Sequence, residues 1–200
     1  ANVAYDEMAQ GYDKTYTADT YELAFRTSKE ALDDEQEEVV SDAARAFGQS
    51  MTYTYNVDHA NVFNNFTSTT GSPDGVALFS TAHPLVGGGS GVNTFTAMQD
   101  LSVTALRDAL NVMADTVDDA GKLLHIRPQI LLVTYELKWL AMELMNSVDR
   151  PDTADRATNV MKNEMRVIAW PYLTDADAWF LLTDPKNHNV RSYNREKPNV

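Results

Sequence analysis

The residues of this chain that could do chemistry are few and scattered. Ser80-Thr81-Ala82-His83-Pro84 sets a hydroxyl and an imidazole three positions apart, the parts of a nucleophile and its base. Such pairs act through geometry, with a third, acidic group orienting the base, and spacing within a loop defines no such geometry. With no partner acid identified, the segment reads as a loop anchor in which Pro84 fixes the backbone. Gly87-Gly88-Gly89-Ser90-Gly91 has the glycine content of a phosphate cradle. It lacks the Lys-Ser/Thr of a Walker loop and does not sit between a strand and a helix start, so a flexible loop is expected.

Asp175-Ala176-Asp177 has the form of an acidic metal motif, and Asp118-Asp119 could add ligands. Aspartates in turns bond their own backbone, which explains such pairs without a metal. The four histidines, His59, His83, His125 and His188, form no ligand-spaced pair, and the chain has no cysteine. A zinc site, a disulfide and a thiol nucleophile are therefore not expected. Trp139, Trp170 and Trp179 lie within apolar helix or strand patterns and are read as core. No catalytic residue, cofactor site or metal site is assigned. The enzyme alternative is a small hydrolase or metal-dependent transferase using His83 or Asp175 and Asp177.

Bulk properties narrow the classes further. Two hundred residues with 44% apolar side chains can bury a core, and 29 acidic against 16 basic residues give a net charge of -13. Nucleic acid would on average be repelled. The longest aliphatic run, Ile130 to Val133, is far short of the roughly 20 residues of a membrane span, so a soluble chain is expected. The chain opens on Ala1 and closes on Arg195-Glu196-Lys197-Pro198, which leads us to expect native sequence beyond both ends.

The elements that position these residues follow from patterning. Tyr5, Tyr12, Tyr16, Tyr21 and Phe25, with alternation from Thr15 to Phe25, predict a β-hairpin or extended two-stranded arm. An isolated hairpin is marginal in water, so the arm must lean on something else. From Asp33 acids crowd the chain, and Val40, Ala44, Phe47, Met51, Tyr55, Val62, Phe63 and Phe66 recur at helical spacing. A helix from about Asp34 to Phe66 would be about 50 Å long, weakened near Gly48, Thr52, Thr54 and Val57 enough to bend or break. Residues 67–100 read as loop, pinned by the apolar island Val76 to Phe79. A helix through Val103, Leu106, Leu110, Met113 and Val117, ending near Gly121, comes next. A buried strand at Ile130 to Val133 and a helix carrying Leu137, Leu140, Ala141, Leu144 and Met145 then follow. Met165 to Trp170 and Ala178 to Leu182 read as two further strands, joined by the Asp175 to Asp177 turn, with a candidate strand at Val190 to Tyr193. Helices and strands in this order imply an α+β or α/β layer domain.

Four stretches together resemble the major capsid proteins of tailed bacteriophages, including the Mu-like group. GYDKTYTADTYELAFRTSKEALDDE (Gly11 to Glu35) is similar to that family's extended loop running into its spine helix. AARAFGQSMTYTYNVDHANVFNNF (Ala43 to Phe66) is similar to the spine helix and its ending, and LFSTAHPLVGGG (Leu78 to Gly89) to a recurring phrase. RPQILLVTYEL, WPYLTDADAWFLLTDP and REKP resemble the axial-domain strand and helix and the return from it. The resemblance covers nearly the whole chain in the family's order. Thr134-Tyr135 stands where the family has Pro-Pro, a departure at one turn.

The resemblance implies an α+β tailed-phage capsid fold. Its parts would be an extended β-hairpin loop over 1–32, a spine helix of the peripheral domain over 33–66, an axial domain over 67–185 and a return strand over 186–200. It further implies a structural subunit that assembles with itself into pentamers and hexamers of an icosahedral shell. That shell would be a virion head built in the bacterial cytoplasm, with scaffold, portal and decoration proteins as partners, touching packaged double-stranded DNA through weak, non-specific contact. Inter-subunit contacts would fall on Tyr5, Tyr12, Lys14, Tyr16, Tyr21 and Phe25, and the axial-domain loop on Ser80, His83, Pro84, Gly87, Gly88 and Gly89. Some relatives crosslink through a Lys of the extended loop; Lys14 lies in that segment, but no motif identifies a partner. An encapsulin-like nanocompartment shares the fold and is the shell alternative, with an enzyme cargo in place of DNA.

Overall fold

In the computed structural model the described residues are 10–34, 38–118, 120–152, 157–188 and 190–196. The elements are α1 (Lys29–Asp33), α2 (Val39–Asn64), β1 (His83–Pro84), β2 (Ser90–Gly91), α3 (Val103–Ala114), β3 (Ile130–Val133), α4 (Lys138–Asn146), β4 (Arg166–Ala169), β5 (Trp179–Leu182) and α5 (Pro185–His188).

The core is organised around β3. It is the central strand, with β4 paired to one edge in parallel and β5 to the other antiparallel, in the order β4-β3-β5. Its four residues are apolar because both faces of the sheet are covered there. A parallel partner requires a crossover, and α4 supplies it between β3 and β4. Because successive side chains alternate, β3 feeds two separate clusters. Leu131 and Val133 meet Leu106 of α3, Ala141, Leu144 and Met145 of α4, and Met161 and Met165. Leu132 faces the other way, toward Phe63 at the end of α2, Leu173 and Phe180. A rim of edge-to-face and tilted ring contacts extends that second cluster: Phe66, Phe79 and Phe180 lie 5.3 to 6.3 Å apart, and Phe63 sits 5.2 Å from Phe180. Phe79 thereby anchors the apolar island expected to pin the 67–100 loop.

Helix α2 is continuous through Gly48. Its β-branched and polar residues bond back onto the preceding turn: Ser50 Oγ to Phe47 O at 2.7 Å, Thr54 Oγ1 to Ser50 O at 3.0 Å and Asn56 Nδ2 to Thr52 O at 3.0 Å. These satisfy side chains that would otherwise compete with the helix. The helix begins later than the acidic run suggested, because Glu38 takes a left-handed φ of 53° and interrupts it, while Lys29–Asp33 forms a separate turn capped by Ser28. Among the described side chains of α2 only Ala60 and Phe63 are buried, so most of its length runs clear of the core. No described helix is long and apolar enough to cross a membrane.

Four expectations are corrected. Among the described residues, the arm contains no strand: 10–28 is a single extended chain, since its alternating aromatics have no second strand to pair with and lie instead along α2. Helix α3 stops at Ala114 and not near Gly121, because the Asp118 carboxylate accepts the N–H groups of Ala120 and Lys122 and draws the backbone into a turn. That turn is closed by the Val117–Leu123 bridge, with Gly121 at φ +76°. The candidate strand at Val190 to Tyr193 does not form; residues 190–194 have no regular structure and no partner strand, and the Tyr55 hydroxyl donates to Asn194 Oδ1, bringing this segment back to α2. Trp139 is 69% exposed, because the buried stripe of α4 is Ala141, Leu144 and Met145 and position 139 falls outside it.

Candidate assembly surfaces

The arm is laid along its own helix in reverse. The Phe25 ring sits 5.9 Å from that of Phe47, the Tyr21 hydroxyl 3.5 Å from Asp58 Oδ1, and the Tyr16 hydroxyl 3.5 Å from Gly71 O. The Lys14 ammonium donates to the carbonyls of Thr70 and Ser72. The Asp58 carboxylate beside Tyr21 pushes that phenol's pKa up from its ordinary value, since a second negative charge there is disfavoured. Contact does not mean burial: Tyr12, Tyr16, Tyr21, Leu23 and Phe25 are all exposed, Tyr16 to 69% and Leu23 to 66%. Tyr5 lies outside the described residues.

The loop residues serve structure. Ser80 Oγ accepts from Ala82 N at 3.1 Å and does not face His83, so the two do not assemble as nucleophile and base. His83 Nδ1 bonds Asp74 Oδ2 at 2.6 Å, and its buried Nε2 has no hydrogen-bond partner. Burial pushes the Asp74 carboxyl up, but hydrogen bonds from Ser72, His83 and the Val76 N–H outweigh it and hold the group below its ordinary value. Ser72 bonds the far oxygen of Asp74 and not His83, so these three are an anchor for the loop and not a relay. His83 and Pro84 pair with Gly91 and Ser90, and Gly87, Gly88 and Gly89 form the turn between them. The Gly88 N–H is spent on Leu85 O, and Gly88 and Gly89 stand at φ +93°. This is a glycine turn by backbone demand.

The remaining candidates are dispersed. Asp175 Oδ1 accepts from Asp177 N at 3.3 Å, as turn aspartates do, and Asp118 caps its own turn; Asp119 lies outside the described residues. His59 stacks on Tyr55, His125 is exposed at φ +50°, and His188 Nδ1 accepts from Val190 N. Among the described residues no three acidic or histidine side chains gather as metal ligands. Trp170 packs on Phe63, and Trp179 donates its indole N–H to Gln99 O at 2.9 Å.

Three positions that sequence reasoning missed hold the fold together. Asn64 joins the end of α2 to the sheet region, donating to Tyr172 O and accepting from Thr174 N, both at 3.0 Å. Asn159 is buried and ties the end of α4 to the following connector through Leu144 O, Ser147 O and Met161 N. Thr134, standing where the resemblance predicts proline, donates to Ala176 O at 2.8 Å and accepts from Leu137 N, joining β3 to the start of α4.

What stands out among the described residues is thus a set of uncovered apolar side chains beside a packed sheet. Comparison with known proteins agrees. No curated protein matches the chain. Among solved structures it is similar to the capsid of bacteriophage JBD30 decorated with minor capsid protein trimers, at 15% identity and a TM-score of 0.54 over 74% of this chain and 72% of that one. That likeness establishes the common fold, an α+β phage-capsid fold. The family described as phage capsid protein matches residues 11–200. Neither the nanocompartment nor the hydrolase alternative is favoured by these matches. The chain belongs to the phage capsid protein family, as a structural subunit of the phage head.

Proposed function

We propose that this chain assembles with copies of itself into the pentamers and hexamers of an icosahedral head that encloses double-stranded DNA. The observation carrying this reading is the arm: a row of large apolar side chains held in extended form, with no layer of the same chain over them. Burying an apolar side chain of this size stabilises by about 1.5–3 kcal/mol, so surfaces of adjacent copies that cover the row gain substantially on association. In this reading the arm reaches over an adjacent subunit and residues 67–185 surround the symmetry axis. The segment after α5 returns toward the peripheral region, as the Tyr55–Asn194 contact supports.

The role is structural and not enzymatic. The acidic balance, -13 over the chain, suits a wall that holds DNA by weak, non-specific contact and leaves it free to move. Scaffold and portal proteins act as partners during assembly in the host cytoplasm, and decoration proteins afterwards, by analogy with the decorated head it resembles. Negative-stain electron microscopy of the full-length protein, with light scattering, is the test. Closed shells or rings support the reading; a monodisperse monomer or dimer, even with the other head proteins added, contradicts it.

A further inference from the structure

Charge is unevenly spread along the chain. Four of its 16 Lys and Arg but only one of its 29 Asp and Glu follow Asp184, which leaves the preceding residues with 12 cations against 28 acids. From Pro185 to Arg195 there is no acid, while Lys186, Arg191 and Arg195 are cations; Glu196 and Lys197 then cancel in charge. On a strongly acidic chain this is a local reversal of sign.

The fold leaves that stretch open. Lys186 is exposed in α5, and every residue from 190 to 196 is exposed, Tyr193 to 80%. The ammonium of Lys186 and the guanidinium groups of Arg191 and Arg195 make no ion pair or hydrogen bond with a described residue. His188 is occupied locally, its Nδ1 accepting from Val190 N at 3.0 Å, so three cations are on offer. Residues 190–194 have no regular structure, yet Asn194 Oδ1 accepts from the Tyr55 hydroxyl and fastens the stretch to α2.

We propose that Lys186, Arg191 and Arg195 form a binding site for the phosphate backbone of double-stranded DNA. This rests on the shell reading above and names where the enclosed DNA touches the wall. Charge and geometry together select the ligand. A duplex carries one negative charge per about 1.7 Å of its axis, so cations at any spacing along an irregular stretch meet a phosphate. Contact of this kind needs no register and reads no sequence. The hydroxyls of Ser192 and Tyr193, between the two arginines, add donors for phosphate oxygens. The rival ligand is the acidic run Asp33 to Glu38 of another copy, whose five acids span six residues. The cations span ten residues, and only a continuous line of charge meets all three. Three phosphate contacts make a weak site, and many copies facing the same DNA hold it collectively while each lets go readily.

The test is a titration of unassembled full-length protein with a short labelled duplex of arbitrary sequence, read by fluorescence anisotropy over a range of salt. Three phosphate contacts predict a slope of log affinity against log salt of about -2.7, equal for duplexes of different sequence. Arg191→Gln with Arg195→Gln should lower low-salt affinity roughly tenfold or more and flatten the slope to about -0.9, with the melting of the free subunit unchanged. Wild-type protein that binds no duplex at low salt, or a double variant with wild-type affinity and slope, overturns the site. A double variant that binds DNA as wild type does but yields few shells also overturns it, and assigns the stretch to contact with another copy. Since the titration uses unassembled protein, failure of the shell reading shows separately, as wild-type protein that binds the duplex through both arginines yet forms no closed shell.

Discussion

Strand β3 and the arm both carry large apolar side chains, and these meet opposite fates. The four residues of β3 are enclosed by β4, β5, α3, α4 and the end of α2, and Leu131 and Val133 have no exposed surface. The arm's aromatics touch α2 at single rings and hydroxyls, and remain about half or more exposed. One region is stabilised within the chain, and the other is complete only in company. That division separates folding from assembly, and substitutions should therefore fall into two classes.

The largest effect on folding belongs to the core. Leu131→Ala opens a cavity on the α3–α4 side of the sheet and should cost about 2–5 kcal/mol in chemical denaturation of the unassembled subunit. Next is the joint between the two regions. Asn64→Ala removes both hydrogen bonds to the 172–174 segment and should cost about 1–3 kcal/mol by the same measurement. If Asn64→Ala equals or exceeds Leu131→Ala, the joint and not the core dominates stability.

Phe25→Ala sharpens the contrast from the other side. It loses one half-exposed ring contact, so the free subunit should change by about 1 kcal/mol or less, while shell yield by sedimentation should fall severalfold. Equal losses in both assays would erase the distinction between regions.

The smallest effect is local and acid-dependent. Asp74 has its folded pKa lowered, so its contribution is fully present above its ordinary unfolded value and is lost as pH falls through the lowered one. Limited pepsin digestion should show the 67–100 loop opening only in that acid window, with the core still intact. Asp74→Asn should loosen the same loop to thermolysin at neutral pH.

The same contrast explains what the sequence disclosed. Ile130 to Val133 was legible to the residue because a short aliphatic run between polar segments has one good environment, and β4 and β5 lay within one or two residues of their patterns. The arm was misread as a hairpin because period-2 aromatics announce an extended chain but not whether a partner strand exists. Trp139 was misread because an aromatic inside a helical pattern is ordinarily core; its exposure follows from a helix phase set by Ala141, Leu144 and Met145. The Asp74–His83 anchor and the Asn159 ties join residues through tertiary position, for which spacing carries no signal. The functional class was legible through four phrases in order, whereas the surfaces that make contact emerge only where the folded chain leaves leucines and rings uncovered.

Amide hydrogen exchange, compared between unassembled subunits and assembled shells, tests the division of labour directly. The account predicts that residues 10–28 exchange fast in the free subunit and become protected on assembly, while β3 is protected in both. Arm amides that exchange equally fast in the shell would contradict it.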